Sequence, residues 1–282
     1  MDAGPDAVFA GTPVTQAVAW FPKNSPVSFI QDPGEALWEK SGWHRWAPPG
    51  TPEAAINNLY KIQANRAYIL YSTADYTWEV TGVPIFWWRT WQPDSFNFTG
   101  FHVDETAPPT FEQFFGGSRA HSPLRVYTLV NNQWLRIADP SAVNIASGRA
   151  YWVYCNGGSN HQGPLKITLP GFSGELGFSG PLQEREIEFF NHSPNPISFK
   201  VEVLPGSGVP LSLVQKDLTA DQVNSYSSLT VYESAPLEPG EKLYLRLAAR
   251  RKEIVEEAVA GMIKFSDDLG NRFFITVPVD KL

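Results

Sequence analysis

Cysteine, methionine and charge are scarce in this 282-residue sequence, which holds one Cys, two Met and only 18% Asp, Glu, Lys and Arg. The single Cys155 can form no intramolecular disulfide and excludes the familiar multi-cysteine zinc sites. With 22 basic and 29 acidic residues the formal charge is −7, and the lack of a basic stripe argues against a nucleic-acid partner. No run of 18 apolar residues occurs, so no membrane insertion is expected. The opening Met1-Asp2-Ala3-Gly4-Pro5-Asp6 lacks the basic and apolar regions of a secretory signal peptide. No signal peptide is expected within this sequence, and secretion stays open. A chain of this length can build one large or two ordinary domains without disulfide staples.

Tryptophan is missing from the last 130 residues, since all ten lie at or before Trp152, so the two parts of the chain differ in build. Proline is plentiful at 24 residues, above the usual level of about 5%, which works against long helices. The front part carries an internal repeat. Residues 61–72 (KIQANRAYILYS) and 144–155 (NIASGRAYWVYC) agree at five of twelve positions at a constant offset of 83. The identities are Ile62/Ile145, Arg66/Arg149, Ala67/Ala150, Tyr68/Tyr151 and Tyr71/Tyr154. Upstream, Trp43-His44-Arg45-Trp46 aligns with Trp134-Leu135-Arg136-Ile137, with a longer connection following in the first copy. Both copies alternate with a period near two and read as strands. Asn131-Asn132 predicts a two-residue hairpin turn, because asparagine tolerates positive φ. Trp134, Tyr151 and Val153 are then candidates for one buried face. A short helix is predicted from Thr106 to Phe115, capped by Thr106, with Pro108 and Pro109 in its first turn.

Residues 171–181 (GFSGELGFSGP) read as a linker. Beyond them, seven alternating runs from Ile187–Phe189 to Phe273–Val279 are separated by turn signals such as Pro205-Gly206-Ser207-Gly208 and Pro239-Gly240. That pattern predicts an antiparallel sandwich. The segment Leu237-Glu238-Pro239-Gly240-Glu241, and the opening Ile187-Glu188-Phe189-Phe190-Asn191-His192-Ser193, resemble bacterial immunoglobulin-like domains. The second front module is similar to small β modules of secreted bacterial proteins. Its opening is Ser95-Phe96-Asn97-Phe98-Thr99-Gly100-Phe101 and its ending Gly148-Arg149-Ala150-Tyr151-Trp152-Val153, with Phe96 where those modules carry tryptophan. The expected fold is all-β, with two related small β modules followed by an immunoglobulin-like sandwich. The expected boundaries are an N-terminal extension 1–14, modules 15–86 and 87–170, a linker 171–181 and a sandwich 182–282. The resemblances imply a secreted, periplasmic or cell-surface setting and no fixed activity.

Catalytic patterns are thin. The histidines His44, His102, His121, His161 and His192 are widely separated, and no H-E-x-x-H pair occurs, so no metal site is expected. Cys155 with His161 six residues on is the nearest approach to a nucleophile and base, weighed against a half-buried apolar cysteine. Neither Gly157-Gly158 nor Gly206-Ser207-Gly208 leads into a helix, so no phosphate loop is present. Asp104-Glu105, Glu256-Glu257 and Asp267-Asp268 read as helix-start, loop and turn residues. Arg250 to Glu257 balances three bases with three acids and reads as a solvated loop. No catalytic residue and no cofactor is expected.

The aromatic clusters remain. Trp87, Trp88 and Trp91, with Phe86, place four large rings in six residues between the modules, and Trp38, Trp43 and Trp46 form a second group. Alternation puts Trp87 and Trp88 on opposite faces of a strand. Such rings are either intermodule core or stacking and anchoring surfaces. The candidate binding residues are therefore Trp38, Trp46, Trp87, Trp88 and Trp91. The expected role is a non-catalytic binding or structural module that contacts another protein or surface component. The alternatives are a carbohydrate-binding protein and an enzyme whose site is scattered between modules.

Overall fold

In the computed structural model, which describes residues 2–21, 42–84, 86, 89–171, 173–216 and 224–281, the front module begins at the N-terminus. Its elements are β1 (Asp2–Ala3), α1 (Pro5–Val8), β2 (Val14–Trp20), β3 (Trp43–Trp46), β4 (Ile62–Gln63) and β5 (Tyr68–Ser72). Pro5, whose fixed φ suits a first helical position, starts α1. The turn that follows delivers Phe9 to a core shared with Ala17, Trp46, Leu59 and Ile62. β1 pairs with β4, and β2 lies between β3 and β5 in an antiparallel sheet. The described residues 2–14 of the expected N-terminal extension are thus packed into this module, since Phe9 and Val14 are buried in its core.

The second module repeats the plan with β6 (Ser95–Gly100), α2 (Phe111–Phe115), β7 (Val126–Val130), β8 (Gln133–Arg136) and β9 (Ala150–Cys155). Its sheet order β6-β9-β7-β8 contains β8-β7-β9, the counterpart of β3-β2-β5. The register agrees as well. Ala17 lies opposite both Trp46 and Leu70; Val126 lies opposite Val153 and its carbonyl accepts from Ile137 N–H. Asn65 and Gly148, 83 residues apart, both hold positive φ, at 57° and 73°. Gln63 N–H donates to Tyr68 Oη at 2.7 Å, and Ala146 N–H donates to Tyr151 Oη at 3.1 Å, again 83 residues apart. Tyr68→Phe and Tyr151→Phe are each expected to cost about 0.5–1.5 kcal/mol of unfolding free energy in urea melts. Wild-type stability in both variants would show that the two hydroxyls have no structural part.

Asn131 and Asn132 both take positive φ and close the β7–β8 hairpin, as the sequence predicts. The helix is shorter than expected. It begins after Pro109, with Thr110 rather than Thr106 as its cap in a capping box with Gln113. The residue before a proline avoids the helical region, so Ala107 and Pro108 cannot lie inside the helix. Thr106 instead donates both N–H and O–H to Asp104 Oδ1. Tyr151 and Val153 are buried as expected, but Trp134 lies on the other side of the sheet, opposite Leu129.

The C-terminal part is a sandwich of β10 (Leu165–Thr168), β11 (Glu184–Asn191), β12 (Phe199–Val203), β13 (Leu211–Lys216), β14 (Asn224–Ser228), β15 (Val231–Glu233), β16 (Lys242–Ala249), β17 (Ala258–Asp267) and β18 (Arg272–Asp280). One sheet runs β10-β11-β16-β13-β14 and the other β15-β12-β17-β18, all antiparallel. The orders β10-β11-β16-β13 and β12-β17-β18 are those of an immunoglobulin-type sandwich. Phe189 stacks on Phe199 at 4.1 Å between the sheets, beside Phe265 and Ile275.

This sandwich begins earlier than the composition indicates. β10 pairs with β11, which takes Leu165–Thr168 out of the second front module. The glycine-rich stretch is not a free linker either. Leu176 N–H bonds to Thr276 O, and Phe178 forms a parallel bridge to Val279, so the segment crosses from one sheet to the edge of the other. Leu176 and Phe178 are fully buried, and each side chain stabilises the fold by roughly 1.5–3 kcal/mol. Leucine and phenylalanine one residue apart alternate as in a strand, and the flanking glycines hide that signal. Phe86 also enters the sandwich core against Phe273, at 5.8 Å.

Candidate functional site

Trp38, Trp87 and Trp88 lie outside the described residues. Trp46 is 4% exposed; its Nε1 donates to Asp6 Oδ1 at 2.6 Å and its ring packs on Phe9. Trp91 is 2% exposed; its Nε1 donates to His161 O at 2.7 Å and its ring packs against Phe115 and His121. Both rings are core, and both N–H groups are used internally, so neither Trp46 nor Trp91 offers a free surface. The Ala47-Pro48 loop does not present Trp46 outward. It lines a shallow hollow of about 310 Å³ with Thr15, Arg45 and Glu53 instead.

Cys155 and His161 do not form a nucleophile–base pair. The Cys155 thiol is buried and donates to Gly157 O, and burial pushes its pKa up to about 11. His161 Nε2 meets Phe114 O at 2.8 Å, and burial pushes this imidazole down to about 4. Native Cys155 is therefore expected to react with iodoacetamide at least tenfold more slowly than in urea, since the thiolate is the nucleophile. Equal labelling rates would show that the thiol is accessible. Among the described residues no group of three or more His, Cys, Asp or Glu side chains is placed to hold a metal ion.

The structure does assemble an aromatic surface, from residues other than those expected. On the side of the second sheet away from its core, cross-strand neighbours bring Phe96 to Tyr154 and Phe98 to Trp152. Tyr127 stands next to Trp152, and Trp134 next to Leu129. Trp20 and Trp43 of the first module pack on Trp152, with ring centroids at 5.2 and 5.8 Å and edge-to-face geometry. Those three tryptophans, with Phe98, join the modules. Beside this contact lies a second, half-buried group, Phe96, Tyr127 and Tyr154, with rings 5.1–5.5 Å apart. The Arg125 guanidinium lies 3.4 Å above the Tyr154 ring. The signal was legible in Phe96-x-Phe98 and Trp152-x-Tyr154. Both faces of β9 are apolar, and only one of them faces the module core.

The second module is held tightly to the sandwich. Arg272 pairs with Asp104, whose N–H donates to Gly270 O at 2.7 Å. His102 packs on Phe274 and His161 faces His192. Gly117 lets the chain approach the His192 carbonyl so closely that any Cβ would overlap it. An open groove of about 430 Å³, lined by Tyr68, Trp78, Val80, Val83 and Phe274, separates the first module from the sandwich.

No protein-family model matches the chain, and no curated protein matches it. Among solved structures, the PapD-like (ASH) domain 7 of human CEP192 is 10% identical, with 42% of this chain and 85% of that chain covered and a TM-score of 0.23. A FixG-related protein from Vibrio parahaemolyticus is 13% identical, with coverage of 42% and 96% and a TM-score of 0.25. The CsuC–CsuE chaperone–tip adhesion subunit complex from Acinetobacter baumannii gives 11%, 41% and 56%, and 0.24.

Proposed function

We propose that this chain is a non-catalytic binding module whose second repeat presents Phe96, Tyr127, Tyr154 and Arg125 to a protein partner. The observation that carries the reading is this aromatic and cationic sheet face, continued past the intermodule contact instead of being covered by it. Aromatic rings and arginine are the residue types that anchor protein interfaces. A glycan needs an open planar ring on which a sugar can stack. Here Trp46 and Trp91 are buried, Trp20 and Trp43 each contact Trp152 edge to face, and Tyr154 is covered by a guanidinium. A protein partner therefore fits this face better than a sugar. A secreted, periplasmic or cell-surface setting rests on the resemblance of the modules to those of secreted bacterial proteins.

The test is a screen of the full chain against displayed proteins and, in parallel, a glycan array. A Phe96→Ser/Tyr127→Ser variant with unchanged circular dichroism serves as the counter-screen. Each lost anchor is expected to weaken the selected complex about 30-fold, the equivalent of about 2 kcal/mol. Binders that ignore the double variant, or binding confined to glycans, would sink the proposal. Turnover in a broad substrate screen would show that the module is not merely a binder.

A further inference from the structure

The two copies of the front module differ by one strand. In the second copy β9 lies between β7 and β6, so both of its edges are paired. In the first copy β5 pairs with β2 alone, and nothing among the described residues corresponds to β6. The start of the first copy matches a later point of the second. Ala3 lies opposite Ile62, just as Pro109 O accepts from Ile145 N–H and Thr110 bridges to Asn144, immediately ahead of α2.

The outer edge of β5 carries unused backbone groups. Thr73 N–H donates to Pro13 O and Tyr71 O accepts from Thr15 Oγ1, so these groups face β2. Alternation then turns the N–H and C=O of Leu70 and Ser72 to the outer side, where no backbone of the described residues meets them. Burial shows the same contrast. Val153 and Cys155 are fully buried, whereas their counterparts Leu70 and Ser72 are half-buried and exposed. Tyr71 is 49% exposed, while its counterpart Tyr154 lies 5.1 Å from Phe96 of β6. The opposite edge of the first sheet is closed, because Asn58 Oδ1 accepts from Arg45 N–H at 2.7 Å and Asn57 Nδ2 donates to Ala47 O at 2.8 Å. An open edge of this kind is a template for another strand.

We propose that the outer edge of β5 takes a strand from a partner protein, in the place that β6 occupies beside β9. The occupant is an extended segment of aromatic-x-aromatic pattern, as in Phe96-Asn97-Phe98. Its first ring lies opposite Tyr71 and its second opposite Ile69, as Phe96 lies opposite Tyr154 and Phe98 opposite Trp152. Leu70 and Ser72 supply the backbone pairing. This edge is separate from the aromatic face of the second module.

The test titrates a labelled peptide of residues 94–101 (DSFNFTGF) onto the full chain and follows amide exchange. Saturable binding is expected, with exchange of the Leu70 N–H slowed about tenfold in the complex. The same peptide with its first Phe and its Asn exchanged loses the alternation and should not saturate. Ser72→Pro removes one outward N–H without touching the pairing to β2, and should weaken binding about five- to tenfold. Ser72→Ala keeps that N–H and should bind as the wild type does. If Ser72→Pro does not fold, Leu70 exchange in the unaltered chain decides the question. No saturable binding, equal binding by both variants, or a Leu70 amide already protected in the free chain would overturn the proposal. Self-association that protects Leu70 would assign the edge to a second copy and overturn it as well.

Discussion

Trp91→Ala is expected to lower the unfolding free energy by about 3–5 kcal/mol in urea melts, as truncation of large buried aromatic side chains generally does. The ring is 2% exposed and contacts Phe115, His121 and the Arg89 guanidinium, so one substitution opens a cavity beside three packed side chains. The substitution also leaves the His161 carbonyl without its 2.7 Å donor. Trp91→Phe separates the two effects. It keeps most of the apolar volume but removes the N–H, and is expected to cost about 1–3 kcal/mol. If Trp91→Ala melted within 1 kcal/mol of the wild type, the indole would be a surface group and its placement in the core would be wrong.

Acidification from pH 7 to pH 4 is expected to destabilise the native state, and histidines account for it. Burial pushes His121 down to about 3, helped by the charges of His161 and Arg89, and pushes His161 down to about 4 against the hydrogen bond to Phe114 O, helped by His192 and Arg89. Burial also lowers His102 and His192, with Arg272 acting on the first and Lys166 on the second. Each is neutral when folded and takes up a proton readily near pH 6.5 when unfolded. Their contribution is therefore intact above that pH and is lost progressively as the pH falls towards 4 and 3. Asp267 works in the opposite direction. Burial raises its carboxyl to about 6, against the pull of the hydrogen bonds from Asn271 and Leu269, so its protonation relieves part of the loss. The net loss between pH 7 and pH 4 is roughly 2–4 kcal/mol. His161→Gln should flatten the profile, and a Tm that is level from pH 7 to pH 4 would refute the assignment.

His121, His161 and His192 form a run of ring contacts that reaches the sandwich, and His102 packs separately on Phe274 of the sandwich, although the four span ninety residues of sequence. Nothing in the spacing of His102, His121, His161 and His192 announces that arrangement. It depends on Gly117 and Gly270, whose missing side chains let two backbones approach, and on the Asp104–Arg272 pair. The packing of Arg89 was equally hidden. An arginine two residues from Trp91 reads as a surface charge until the fold lays it over the Phe101 and Trp91 rings.

Local chemistry was readable because it needs few residues at once. Alternation marks strands, Asn131-Asn132 tolerates the positive φ of a tight hairpin, and the offset of 83 places Tyr68 and Tyr151 at equivalent sites. Composition misled where one strand changes sheets: glycines around Leu176 and Phe178 look like a linker, yet both side chains are fully buried. The tryptophan asymmetry likewise marked where two builds meet but not what the indoles do.

The sequence by itself therefore determined the all-β class, the duplication of the front module and the alternation of the sandwich strands, since each is set by periodicity and turn conformation within short windows. Only the tertiary structure decided which rings became core, which joined the modules and which stayed near the surface. Trp46 and Trp91 are buried, while Phe96, Tyr127 and Tyr154 line a half-covered face. A strand that is apolar on both sides is compatible with either outcome, and what covers its second side is fixed by the packing of distant elements.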